Sequence, residues 1–97
     1  MLIDLGSIEF EWDVGNVGKN NKHGVEDTEG EEVFFDDYKV ILRDKLHSQK
    51  EERFILLGKT KRDRLLFVVF TRRRSKVRIV SARDINRKER KLYEEAR

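Results

Sequence analysis

The sequence predicts an α+β domain, in which two N-terminal helices and a C-terminal helix pack on a curved, mainly antiparallel sheet of four to five strands. Three observations predict it. Residues 8–12 alternate apolar and acidic side chains. Three strand-like runs, 53–60, 64–73 and 76–83, follow one another across short polar turns. The last dozen residues are charged with a few apolar positions at helical spacing. At 97 residues the chain has the length of a single domain, spanning 1–97, with one modest core.

Each element has its own justification. In strand 8–12, Ile8, Phe10 and Trp12 share one face and Glu9 and Glu11 the other. Asp13 is placed to cap a helix running to His23, and Gly24 supplies a left-handed stop. Gly15, Gly18 and the asparagines at 16, 20 and 21 lower its propensity, so tertiary contacts must hold it. A second helix is expected over 26–34 with Val33 and Phe34 facing inward, weakened by Gly30. Residues 38–46 read as an edge strand whose charged residues deter unwanted pairing, and 47–52 as a polar connection. The three strands from Arg53 onward form an antiparallel meander. Within it, 65–70 is continuously apolar, as expected of a central strand covered on both faces, whereas 76–83 alternates. Asp84 is the expected cap of a final helix over 85–96, with Ile85, Leu92 and Ala96 buried and Glu89 and Tyr93 flanking them.

Composition narrows the chemistry. Charged residues make up 42% of the chain and cysteine is absent, which excludes disulfides, thiol nucleophiles and cysteine-bound metals. The apolar run 65–70 is too short to cross a bilayer and the N-terminus lacks a secretion signature, so a cytoplasmic protein without membrane attachment is expected. The net charge of +3 conceals a division: residues 1–50 hold 6 basic against 12 acidic side chains, and residues 51–97 hold 16 against 7. A basic half implies a polyanionic partner, because each cation set against a phosphate releases counterions.

RNA carries its own nucleophile, the 2′-hydroxyl. Cutting it therefore requires a base, an acid and cations at the phosphate, and in principle neither metal nor cofactor. Lys22 and His23 at the end of the first helix, with Arg53, Arg78 and Arg83 on or beside the meander, supply these types. Histidine serves as acid or base near neutrality, and the arginine fork holds two phosphate oxygens at once. His23 also suits a helix C-cap. Arg72, Arg73 and Arg74 at a hairpin tip fit a phosphate contact or a solubilising turn equally well, and Lys19 and Lys76 are further candidates for RNA binding. Trp12 and Tyr93 have faces on which bases stack, although their spacing also suits the core. His47 lies in a polar connection with no companion at a meaningful spacing, and adjacent Asp36 and Asp37 point to opposite sides of a strand, which disfavours a metal site.

Several segments together resemble the BrnT toxins: FEWD at 10–13, KHGV at 22–25, EEVFFDD at 31–37, EERF at 51–54, LLFVVFT at 65–71, RIVSARDINRKER at 78–90 and YEE at 93–95. The resemblance implies a RelE-like fold and an endoribonuclease that inhibits translation. It implies a cognate antitoxin whose ribbon-helix-helix part alone binds operator DNA, in a heterotetramer of two toxins and two antitoxins. Carried over by residue, it points to Lys22 and His23 in KHGV, Arg53 in EERF, and Arg78 and Arg83 in RIVSAR, with Glu89 and Tyr93 in packing and orientation. A catalytically inert module of the same fold that binds RNA or antitoxin is the alternative.

Overall fold

The computed structural model describes residues 8–47 and 50–96. Residues 1–7, on which the expectation about a secretion signature falls, lie outside that range, as do two residues of the 47–52 connection. Among the described residues five strands form one sheet: β1 (Glu9–Phe10), β2 (Val40–Asp44), β3 (Arg53–Lys59), β4 (Leu65–Arg73) and β5 (Lys76–Asp84), in the order β1-β5-β4-β3-β2. The pairs from β2 to β5 are antiparallel, and β1 joins β5 in parallel. Two α-helices complete the fold among the described residues, α1 (Asp27–Glu32) and α2 (Arg87–Glu95), with 3₁₀ turns at Lys19–His23 and Val33–Phe35.

The larger core lies on one side of the sheet. Leu56, Leu66, Val68, Phe70, Val77, Ile79 and Ala82 project from the strands onto Val25, Val33 and Phe34. Phe34 meets Phe10 and Phe70 edge-on at 5.2 and 5.0 Å, contacts worth about 0.5–1.5 kcal/mol each beyond the area they bury. Two glycines permit this closeness. A Cβ on Gly58 would stand 2.9 Å from both the Cβ and the carbonyl oxygen of Val33, so the 3₁₀ turn settles on β3 only over a bare backbone. Buried Gly30 likewise brings α1 down on Ile79. Trp12 packs against the same core, and its indole N–H donates to Glu31 Oε2 at 2.6 Å.

The other side is covered at one end. There α2 lays Tyr93 on Leu57 and Leu65, while Phe67 and Val69 stay half-buried, so the 65–70 strand is closed on one face and partly open on the other. The helix is rotated from its expected setting. Tyr93 is 1% exposed and Leu92 50%, because the inward stripe runs through Ile85, Glu89 and Tyr93 at four-residue spacing. Asn86, not Asp84, caps α2, accepting from Glu89 N–H at 2.9 Å while Glu89 Oε1 accepts from Asn86 N–H. Asp84 instead pairs with Arg64 at 2.7 Å.

The first expected helix is also different. Residues 14–18 form turns and only Lys19–His23 winds into a 3₁₀ turn, which ends as anticipated at Gly24 in the left-handed region (φ 69°). Asn16 and Asn20, both buried, explain why. The Asn16 amide donates to the carbonyls of Glu11 and Ile79 at 3.0 Å, and Asn20 Oδ1 accepts from Ala82 N–H at 2.9 Å. These side chains replace a neighbouring strand along the outer edge of β5. A regular helix would point them elsewhere.

Asp36 joins the two sides. Its carboxylate accepts from the Tyr93 hydroxyl at 2.6 Å and from the backbone N–H groups of Lys59 and Tyr38 at 2.8 and 3.0 Å. Burial pushes this carboxyl up, but the three donors outweigh it and hold the group below its ordinary value. A depressed carboxylate contributes stability that is present above the unfolded pKa and lost as pH falls through the folded one. Tyr93→Phe should therefore destabilise the fold by about 1.5–3 kcal/mol at neutral pH. The deficit should narrow below about pH 4, where Asp36 is protonated in the unfolded chain, as urea unfolding midpoints at the two pH values will read.

Candidate RNA-binding and active site

Arginines reach the open face of the sheet through a break in the pairing of β5. Arg78 and Arg83 are five residues apart, and a regular strand would place them on opposite faces. Phe70 pairs with Ile79 and Val69 with Ser81, which leaves Val80 as the extra residue of a β-bulge. Beyond the bulge the alternation is reset. Arg78 stands in a cross-strand row with Thr71 and Arg53, and Arg83 in a row with Phe67 and Leu57, both on the α2 side.

The first row opens a cavity of about 160 Å³ lined by Lys19, Glu51, Arg53, Arg73, Arg78 and Val80, with Gly15 and Asn16 at its wall. Its cations have internal counterions. Arg78 grips Asp13 with both terminal nitrogens at 2.8 and 2.9 Å and reaches Glu11 at 3.2 Å. Arg73 holds Glu51 at 2.7 Å and Glu11 at 3.3 Å. The Arg78 hydrogen bonds hold the Asp13 carboxyl below its usual range, and those of Arg73 do the same for Glu51. Reciprocally, both guanidinium groups are pushed further toward the cationic form. Asp13, expected as a helix cap, thus accepts from Gly15 N–H and serves chiefly as the partner of Arg78. Among the described residues, Lys19, Arg53, Arg73 and Arg78 gather here with the carboxylates of Glu11, Asp13 and Glu51.

Arg83 stands apart from this cavity. Glu89 clamps it at 2.8 and 2.9 Å, it donates to Asp84 O, and its guanidinium lies 3.9 Å over the Phe67 ring. Burial pushes Glu89 up, but Arg83 and the Asn86 N–H bring it below its ordinary value. Lys22 and His23 are exposed on the 3₁₀ turn that Asn20 fastens beside Ala82. Five residues of strand put the Arg78 and Arg83 backbones about 15 Å apart. The structure therefore brings Arg53 and Arg78 together, places Lys19 and Arg73 with them, and sets Lys22, His23 and Arg83 at the other end of β5. Of the remaining cations, Lys76 follows Arg73 on the same face, Arg72 projects to the opposite face beside Val77, and Arg74 occupies the hairpin tip at φ 59°. Tyr93 is buried and offers no face for a base.

His47 lines a cavity of about 610 Å³ with Leu46, Lys50, Glu51, Arg53 and Arg73, so that Glu51, Arg53 and Arg73 are shared with the smaller cavity. Its Nδ1 lies 3.1 and 3.0 Å from the two carboxylate oxygens of Asp44. The missed companion was three residues upstream, on a strand whose register sets Asp44 opposite Arg53.

Comparison with known families decides the lineage. Residues 12–89 match the model of the ribonuclease toxin, BrnT, of type II toxin-antitoxin systems. The chain belongs to the BrnT family. Comparison with curated proteins finds no match. Membership of the BrnT family makes this a ribonuclease toxin by lineage and implies an antitoxin partner. Both cavities and the His23 turn fall within the BrnT match. Among the described residues no helix is long and apolar enough to cross a membrane.

Arg64 holds the His23 turn in place. It donates to Gly24 O at 2.7 Å and pairs with Glu29 and Asp84 at 3.1 and 2.7 Å. Arg64→Ala should destabilise the fold by about 1–3 kcal/mol and speed amide exchange over residues 19–25, a change that hydrogen-exchange mass spectrometry will localise.

Proposed function

We propose that the chain is a metal-independent endoribonuclease that inhibits translation by cutting RNA, with the scissile phosphate seated between Arg53 and Arg78. The observation that carries this reading is the convergence of Arg53, Arg73, Arg78 and Lys19 on one cavity of the open sheet face. Arginine forks fit a phosphate whose oxygens gain charge in the transition state, and a lysine adds a point charge. An incoming phosphate competes with Asp13, Glu11 and Glu51 for the same donors. The residue types give proton transfer to Lys22 and His23 and a phosphate contact to Arg83, at positions to which the resemblance also points; in this reading they grip the strand at the far end of β5, and the proton carrier is that pair or a group at the arginine cavity.

The wider assignment follows the family. The fold is taken as RelE-like and the site of action as the cytoplasm. The partner is taken as a ribbon-helix-helix antitoxin, two copies with two toxins, through which alone operator DNA is bound. Covering the arginine cavity would silence the toxin, and antitoxin carboxylates would serve there as Glu11 and Asp13 already do. An inert binding module remains the competing reading, favoured by the internal neutralisation of Arg78 and Arg83.

Purified protein with single-stranded RNA and excess EDTA should yield fragments, and intact RNA at low salt would sink the nuclease reading. Arg53→Ala and Arg78→Ala should each lower cleavage about 10²–10³-fold, the scale of losing one preorganised charge donor, with the unfolding midpoint recorded for each variant. Asp13→Asn should move the other way in binding: by weakening the hold on Arg78 it should tighten RNA, measured as fluorescence anisotropy with a 2′-deoxy analogue.

A further inference from the structure

We propose that His47, oriented by Asp44, is the general base of the arginine cavity; the assignment rests on the ribonuclease reading and names the group that completes it. Nδ1 lies within hydrogen-bonding distance of both Asp44 oxygens, at 3.1 and 3.0 Å, and the His47 backbone N–H donates to the same carboxylate at 3.3 Å. A carboxylate at Nδ1 fixes the proton there in the neutral ring and leaves the lone pair on Nε2. The ring is accessible, with its side chain 67% exposed against 13% for Asp44. A half-sunk carboxylate beneath an open imidazole is the arrangement that orients a base without blocking it.

Position supports the same assignment. His47 lines the larger cavity, whose wall of Arg53 and Arg73 is also the wall of the phosphate cavity. Asp44 pairs in register with Arg53, so the carboxylate that sets the imidazole and a guanidinium proposed for the phosphate stand on adjacent strands. The charged groups around the ring are Asp44 from β2, Lys50 and Glu51 from the connection, Arg53 from β3 and Arg73 from β4. His23 lies beyond the other border of the sheet, more than three strand spacings of about 4.8 Å from β2.

The chemistry is transesterification. Neutral Nε2 takes the proton of the 2′-hydroxyl as the 2′-oxygen bonds to phosphorus. The P–O5′ bond breaks, its electron pair leaves with the 5′-oxygen, and that oxygen takes a proton from water. The products are a 2′,3′-cyclic phosphate and a 5′-hydroxyl end, and the imidazolium returns its proton to solvent.

The test uses the full chain with a single-stranded RNA and its 2′-deoxy analogue, in EDTA, comparing wild type, His47→Ala and Asp44→Asn. His47→Ala should cut about 10²–10⁴-fold more slowly, the usual contribution of a positioned acid or base, while retaining its affinity for the deoxy analogue. Free imidazole in the buffer should restore part of that rate. The pH–rate profiles of His47→Ala and of Asp44→Asn should each differ in shape from that of wild type. If wild type cuts and His47→Ala cuts as fast with an unchanged pH profile, the assignment to His47 is overturned while the nuclease reading stands. If wild type leaves RNA intact, both fall together.

Discussion

A single unpaired residue in β5 determines which side chains share the working face. Residues 78 and 83 differ by an odd number, so without Val80 as a bulge one arginine would point into the core beside Phe34 and Phe70, at a desolvation cost no fold of this size sustains. The bulge leaves backbone groups at the outer edge of β5 in need of partners. Asn16 and Asn20 provide them, accepting from Ala82 and donating to Ile79. This explains the poor helical propensity of the preceding segment. Its sequence suits a clamp along a strand edge, with Lys19 delivered to the cavity as a result.

That constraint also marks the limit of what the sequence discloses. The three meander strands, the edge strand after Tyr38, the inward Val33 and Phe34, and the stop at Gly24 follow from local pattern and turn chemistry, and all are found. The bulge is not legible, because a run such as VRIVSAR satisfies strand periodicity on either register. The rotation of α2 escaped for a related reason. With one tyrosine and one leucine adjacent, the helical stripe is ambiguous by one residue, and only the hydroxyl partner at Asp36 selects Tyr93. Asp36 itself reads as a surface carboxylate until β3 and α2 close around it. Of the candidate site, the basic residue types and Arg53 with Arg78 were legible, whereas the counterions and the Asp44–His47 pair depend on register between strands.

The charge division of the chain acquires a structural meaning. The acidic half does not merely solvate a separate surface: Glu11 and Asp13 fold back on Arg73 and Arg78, and Glu29 on Arg64. The more exposed of these pairs, Arg73 with Glu11 and Arg78 with Asp13, contribute little to stability. Their effect is on the cavity, which would otherwise hold four cations within one small space and repel itself. Carboxylates of the protein's own chain occupy the Arg73 and Arg78 forks, and on the proposed reading an RNA phosphate displaces them, so the same contacts orient the donors and moderate their affinity.

Placement of the polar groups then separates holding from reacting. The arginines project from paired strands, where Arg53 and Arg78 flank buried Thr71 and their backbones are fixed by the ladder. His47 sits just past the end of the edge strand, tied down through Asp44 alone among the contacts described. Charge stabilisation benefits from rigidity, since donors that need not reorganise act at full strength. Proton transfer needs a group that approaches and withdraws from a hydroxyl as substrate enters. On the proposed reading, strands hold the phosphate and a tethered loop residue carries the proton, so that the base is delivered from the edge of β2.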